Sequence, residues 1–220
     1  MTSARDEILQ RLRGGRSTGP CSAPPPLPTP RLRAHLSQPI AREQLVATFR
    51  GQLAQVGARA EVVARADLAA RVAALLTDAE AHNIACSDAP LVRDALASLP
   101  ASIETLPPDA ARERLLACDT GISSAQWAVA ETGTLVLASA HERHRLCSLL
   151  PDRYLALVPM SRLVGHLGDV FSRLHEPSAS PTSRAITFVT GPSRTADIEL
   201  QLVVGVHGPK DVAVLLVDDL

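Results

Sequence analysis

Two short stretches of this chain hold residue types that can do chemistry. The first is "TGPSRTADIELQLVVGVHGP", Thr190 to Pro209, in which Gly-Pro turns flank a polar cluster and a lone His207. A strand followed by Gly191-Pro192, with Ser193 and Thr195 capping a helix that begins near Ala196, would aim free backbone N–H groups at one point. The positive end of the helix dipole would favour a phosphate or carboxylate there, and Arg194 could clamp the anion bidentately. The simpler alternative is that Ser193 and Thr195 only cap the helix and Asp197 stabilises its first turn. Asp197 and Glu199 would diverge by about 200° on a helix, so they do not form an acid/base pair there. Asp197, closer to the turn, is the better candidate.

The second stretch is "AETGTL". Its Glu131 heads a tight turn and could act as nucleophile or base if held in an apolar site; the alternative is a surface glutamate beside a glycine turn. His207 sits against Gly208, with Gly205 two residues before it, so a ligand could approach closely. As a general base it would need convergent partners, and a hydrogen-bonded structural role is the alternative. The catalytic candidates are therefore Glu131, Asp197 and His207. The ligand-binding candidates are Thr132, Gly133, Gly191, Ser193, Arg194, Thr195, Gly205 and Gly208. His141 and His144 share a helical face but lack a third ligand, which makes a metal site there unexpected. No dinucleotide fingerprint, phosphate loop or nucleophile elbow occurs.

These residues need elements to position them. Residues 3–13 have the acid-first, base-last charge order of a short helix, stopped by Gly14-Gly15. Seven of the seventeen prolines fall between Gly15 and Pro39, which reads as an extended tether. After Pro39 the pattern alternates. "AREQLVATFRGQLAQVG" has Leu45, Phe49, Leu53 and Val56 on one helical stripe, and "ADLAARVAALLTDAE" is helical with Asp67 as N-cap. "AEVVAR", "NIACSD", "YLALVP", "AITFVT" and "DVAVLLVDD" read as strands, the last three fully buried. "MSRLVGHLGDVFSRLHE" reads as one amphipathic helix with Leu163, Leu167, Val170 and Phe171 on its inner face. "WAVAETGTLVLAS" carries a hairpin signal with Gly133 supplying positive φ. Strands separated by helix-length segments predict a three-layer α/β/α domain over 40–220 with a mostly parallel sheet. In such sheets ligands gather at the carboxyl ends of strands, where the loops "TGPSRTADIE", "VHGP" and "AETGTL" are expected.

Composition narrows the function classes. The net charge of −1 and the 2% aromatic content give no reason to expect nucleic acid or an anionic membrane. No apolar run is long enough for a membrane span, and no leader is apparent, so the expected location is the cytoplasm. The four cysteines, at positions 21, 86, 118 and 147, are too dispersed for a cluster or a zinc site, so no cofactor of its own is expected.

The segments "SSAQWAVAETGTLVL", "TGPSRTADIE" and "VVGVHGPKDVAVLLVD", in that order, resemble the lactate utilization (LUD) domain family, and within it the stand-alone lactate utilization protein C branch. The resemblance runs from about Leu45 to the end and excludes the proline tether. It implies the fold shared by glucosamine-6-phosphate isomerases, ribose-5-phosphate isomerases and CoA transferases. It also implies a non-redox role beside two iron–sulfur proteins that oxidise L-lactate to pyruvate in bacteria, with the clusters carried by those partners and a small anionic metabolite bound here. It brings no catalytic residue with it, but it makes Ser193, Thr195, Asp197 and His207 stronger candidates for lining a site. Two other readings remain: an independent CoA-transferase-like or sugar-phosphate-isomerase-like enzyme using Glu131, and a regulatory or scaffolding module.

Overall fold

The computed structural model describes residues 4–14, 40–140, 145–174, 183, 185–195 and 203–219. The chain divides into Met1–Ala34 and His35–Leu220. In the first unit, α1 (Ala4–Gly14) forms where the charge order predicts it, with an exposed Glu7–Arg11 pair one turn apart. The proline tether lies outside the described residues.

The second unit is built on a six-stranded sheet in the order β1-β12-β7-β4-β2-β3, parallel throughout. Its strands are β1 (Arg59–Ala64), β2 (Asn83–Cys86), β3 (Glu104–Leu106), β4 (Thr120–Ser124), β7 (Arg153–Pro159) and β12 (Asp211–Asp218). The central strands β7 and β12 are buried along nearly their whole length, as a parallel sheet covered on both faces requires. Side chains alternate between the faces. Leu155, Leu157, Ala213 and Leu215 meet α3 (Leu68–Asp78) and α4 (Pro90–Ala95). Tyr154, Ala156, Val158, Val214 and Leu216 meet Phe49 and Leu53 of α2 (Arg42–Gln55). Helix α3 buries Leu68, Val72 and Leu76, four residues apart, which is the helical stripe its sequence shows. Its predicted cap does not form: Asp67 ends a single 3₁₀ turn and makes no side-chain capping bond. A short α5 (Arg112–Leu116) precedes β4.

The face that carries α2 also carries a second sheet, in the order β8-β5-β6-β9. Its strands are β5 (Trp127–Val129), β6 (Thr134–Ala138), β8 (Leu163–Val164) and β9 (Ile186–Val189). Only Ala125 and Gln126 separate β4 from β5, far too few residues for a crossover back into the parallel sheet. The chain therefore folds over and starts a new sheet. The predicted hairpin is β5–β6, with Val129 opposite Thr134 and Gly133 at φ +64°. Ala128, Leu135 and Leu137 face the main sheet. Trp127, Val129, Val136 and Val164 face Val170 of α6 (Leu167–Leu174).

Two expectations change here. "AITFVT" is not a buried strand but the edge β9, with Ile186 38% and Phe188 42% exposed. A short apolar run is compatible with either environment, and only its neighbours decide. The single helix expected over "MSRLVGHLGDVFSRLHE" is broken into a 3₁₀ turn (Met160–Arg162), β8 and α6, and Phe171 is exposed against Phe188, 6.0 Å away. The pull of β5, which pairs with Leu163 and Val164, outweighs their helical spacing. A β10–β11 hairpin (Arg194–Thr195 with Val203–Val204) completes the described strands.

Candidate functional site

The hairpin turn places Glu131 against the start of α6. The Glu131 N–H donates to the Gly165 carbonyl at 3.1 Å, which brings the side chain over the next two residues. One carboxylate oxygen accepts the Leu167 N–H at 2.7 Å and the other lies 2.7 Å from His166 Nδ1. Asp169 adds a reciprocal bond, its carboxylate accepting the His166 N–H at 3.0 Å. Two carboxylates thus serve the electropositive end of α6. Burial pushes the Glu131 carboxyl up, but the His166 ring and the Leu167 N–H outweigh it and hold the group below its usual range. An ionised carboxylate only accepts, so the His166 ring donates to it from Nδ1. This geometry caps a helix and orients a histidine.

The rest of the turn packs on the end of α2. Hydroxyls of Thr132, Thr134 and Thr190 form a chain with 2.7 Å steps. A Cβ on Gly133 would fall 3.0 Å from the Leu53 nitrogen, and one on Gly191 (φ +76°) would fall 2.5 Å from Val56 Cγ2. Arg194, expected to clamp an anion, instead donates to the Val56 carbonyl, just beyond the last turn of α2. A cation at a helix C-terminus satisfies an orphan carbonyl and meets the negative end of the dipole.

Among the described residues Ser193 and Thr195 lie in extended backbone rather than at a helix start. The Ser193 N–H donates to the Pro209 carbonyl at 2.8 Å, and the Ser193 carbonyl accepts the Gly205 N–H at 2.9 Å. Arg194 and Thr195 then pair antiparallel with Val204 and Val203. Residues in an extended ladder present their N–H groups alternately to two sides and so cannot converge on one anion. The helix expected from Ala196, together with Asp197, Glu199, His141 and His144, lies outside the described residues. Gly208 lets the two halves of the motif touch, since a Cβ there would stand 3.1 Å from Ser193 Cβ. His207 is exposed in the turn between β11 and β12.

The loops are also not where the sheet rule placed them. "TGPSRT" follows β9 of the second sheet, and "VHGP" leads into the amino end of β12. At that end lies an open cleft of about 510 Å³, lined by Asp119, Leu150, Asp152, Arg153, Lys210 and Asp211 among others. The Asp119 carboxylate accepts the N–H groups of His82 and Asn83 at 2.8 and 2.9 Å. Burial raises it, yet those bonds, with Arg153 nearby, hold it below the usual carboxylate range. Asp211 takes the Arg59 guanidinium through both oxygens, and Asp152 takes Lys210 at 2.9 Å. Sequence reasoning missed His166, Arg153 and Lys210. Lys210 directly follows "GVHGP", and "DR" sits at the mouth of the strongest buried strand, so both carried a local signal.

Cys86, Cys118 and Cys147 are buried, and burial pushes the Cys86 and Cys118 thiols up. Among the described residues no group of three His, Cys, Asp or Glu side chains could hold a metal ion, and no helix is long and apolar enough to cross a membrane.

Comparison with known proteins fits this architecture. The chain is 43% identical over 109 residues to lactate utilization protein C of Halalkalibacterium halodurans, covering 49% of this chain and 47% of that protein. It is 41% identical over 103 residues to the protein of that name from Bacillus subtilis, covering 46% and 43%. The matched segments thus span about half the length of these curated relatives. A crystal structure of a DUF162 family protein from Deinococcus radiodurans has the same fold at TM-score 0.60 and 22% identity, covering 81% of this chain and 99% of that one. The LUD domain model matches residues 46–217, from within α2 to the last residues of β12. The chain belongs to the LUD domain family.

Proposed function

We propose that this protein is a non-redox component of a bacterial system that oxidises L-lactate to pyruvate, acting beside two iron–sulfur proteins and binding a small anionic metabolite. The observation that carries the reading is the similarity to several proteins called lactate utilization protein C, each at about 40% identity over roughly 100 residues. The site geometry supports binding rather than covalent chemistry. Both oxygens of Glu131 are held, one by a helix N-terminal N–H and one by His166. A carboxylate nucleophile of the CoA-transferase kind needs an oxygen that can reach a bound acyl group. The clusters that move electrons belong to the partner proteins in this reading, and location in the cytoplasm follows from it.

The test is genetic. Deleting the gene in a strain with no second copy abolishes growth on L-lactate and leaves growth on pyruvate intact, and a plasmid copy restores it. Tagged protein from lactate-grown cells brings down two iron–sulfur proteins. Undiminished growth of the deletion strain on L-lactate would end the proposal.

A further inference from the structure

The cleft at the amino ends of β4, β7 and β12 has the volume of a metabolite site, since such pockets run from about 300 to 1,000 Å³. Asp211 is paired with Arg59, and one oxygen of the Asp119 carboxylate accepts two backbone N–H groups while the group keeps its charge. Asp152 is met by Lys210. Arg153 is left as the half-buried cation on the wall with no ion pair among the described residues. A guanidinium in that position favours a planar carboxylate, which it can bind through two parallel N–H donors.

Lys210 is placed by the family's own motif. Gly205 adopts φ +82°, and a Cβ there would lie 2.0 Å from Lys210 Cγ. The lysine stem therefore runs directly over the glycine, and the Asp152 carbonyl fixes the loop by accepting the N–H groups of both Lys210 and Asp211. Any side chain at 205 would push the ammonium off this path. The "GVHGPK" segment thus serves the cleft by positioning a cation at its rim, although its histidine is exposed.

We infer that this cleft binds a small hydroxycarboxylate, with Arg153 and Lys210 taking the carboxylate and the Asp152 carboxylate accepting the hydroxyl proton. A simple anion is disfavoured, because three aspartates line the same wall and would repel it unless the ligand also offers a donor. Leu150 supplies an apolar surface for the ligand's carbon atoms. The inference rests on the proposed role in lactate oxidation for its choice of probe, and it names the ligand class and the residues.

The experiment titrates the full chain with L-lactate, pyruvate and acetate, following ¹⁵N-resolved amide shifts and heat. L-lactate binds saturably and shifts the amides of Asp119, Arg153 and Lys210–Asp211. Pyruvate, which lacks the donor, binds more weakly by several-fold. Arg153→Gln weakens L-lactate by about tenfold or more, the usual effect of losing a charged hydrogen-bond partner. Gly205→Ala weakens it through Lys210, whereas Arg71→Gln, outside the cleft, binds as the wild type does. Circular dichroism confirms which variants fold, and the wild-type shift map does not depend on them. No saturable binding of L-lactate, shifts that map elsewhere, or equal affinity for L-lactate and pyruvate would overturn the inference. None of these outcomes would touch the growth phenotype that tests the pathway role.

Discussion

Replacing Glu131 by Gln removes one negative charge and keeps the size of the side chain. The carboxylate meets the Leu167 N–H and His166 Nδ1, both at 2.7 Å, at the start of an eight-residue helix. Gln keeps one acceptor oxygen, so only part of the about 0.5–2 kcal/mol of a side-chain cap is lost, together with the charge's dipole contribution of about 0.3–1 kcal/mol. The side chain is 39% exposed, so solvent screening keeps the sum towards the low end. About 1 kcal/mol is expected at pH 7, a fall in Tm of about 2–4 °C for a domain of this size. The sign of the pH dependence follows from the depressed carboxyl. A group whose folded pKa lies below its unfolded value, about 4.3 for Glu, stabilises fully above that value. The benefit disappears as pH falls through the folded pKa. The wild type and Glu131→Gln should therefore differ at pH 7 and converge in acid, measured by urea titration across that range. A cycle with His166→Ala at pH 7 should be non-additive, since the two side chains touch. A difference that stays constant with pH, or an additive cycle, would refute the argument that the charge is what matters.

Two further predictions rest on the core. Gly121→Ala in β4 would set a Cβ 1.8 Å from the Cys147 carbonyl oxygen, which is backbone and cannot swing away; the cost is about 1–3 kcal/mol in chemical denaturation, by overpacking. Cys86 and Cys118, whose thiols burial pushes up, should alkylate far more slowly in the native chain at pH 8 than in urea, read peptide by peptide in a mass spectrometer.

The architecture was legible because its signals are local. Leu68, Val72 and Leu76 repeat at helical spacing and pack where that spacing says. The unbroken apolar runs of β7 and β12 announce a sheet covered on both faces. Glycine marked the hairpin turn at 133, and "ETGT" was correctly placed there. The limits of local reasoning show at "GPSRT". Ser-Arg-Thr after Gly-Pro is an equally good helix cap or strand start, and what decides is the Pro209 carbonyl, which accepts the Ser193 N–H.

The sequence by itself determined most of the helices and strands, the parallel sheet and the family, since periodicity, turn residues and motif order are properties of neighbours in the chain. Only the tertiary structure decided what the charged groups do. Glu131 became a cap because Leu167, thirty-six residues on, starts a helix beside it. Arg194 became a C-terminal cap for α2, 138 positions earlier in the chain. Arg153 makes no ion pair among the described residues because Arg59 and Lys210 take Asp211 and Asp152, and Asp119 turns one oxygen to two backbone amides. Electrostatic roles depend on which opposite charge arrives within a few ångströms, and partners distant in sequence leave no periodic trace of that meeting.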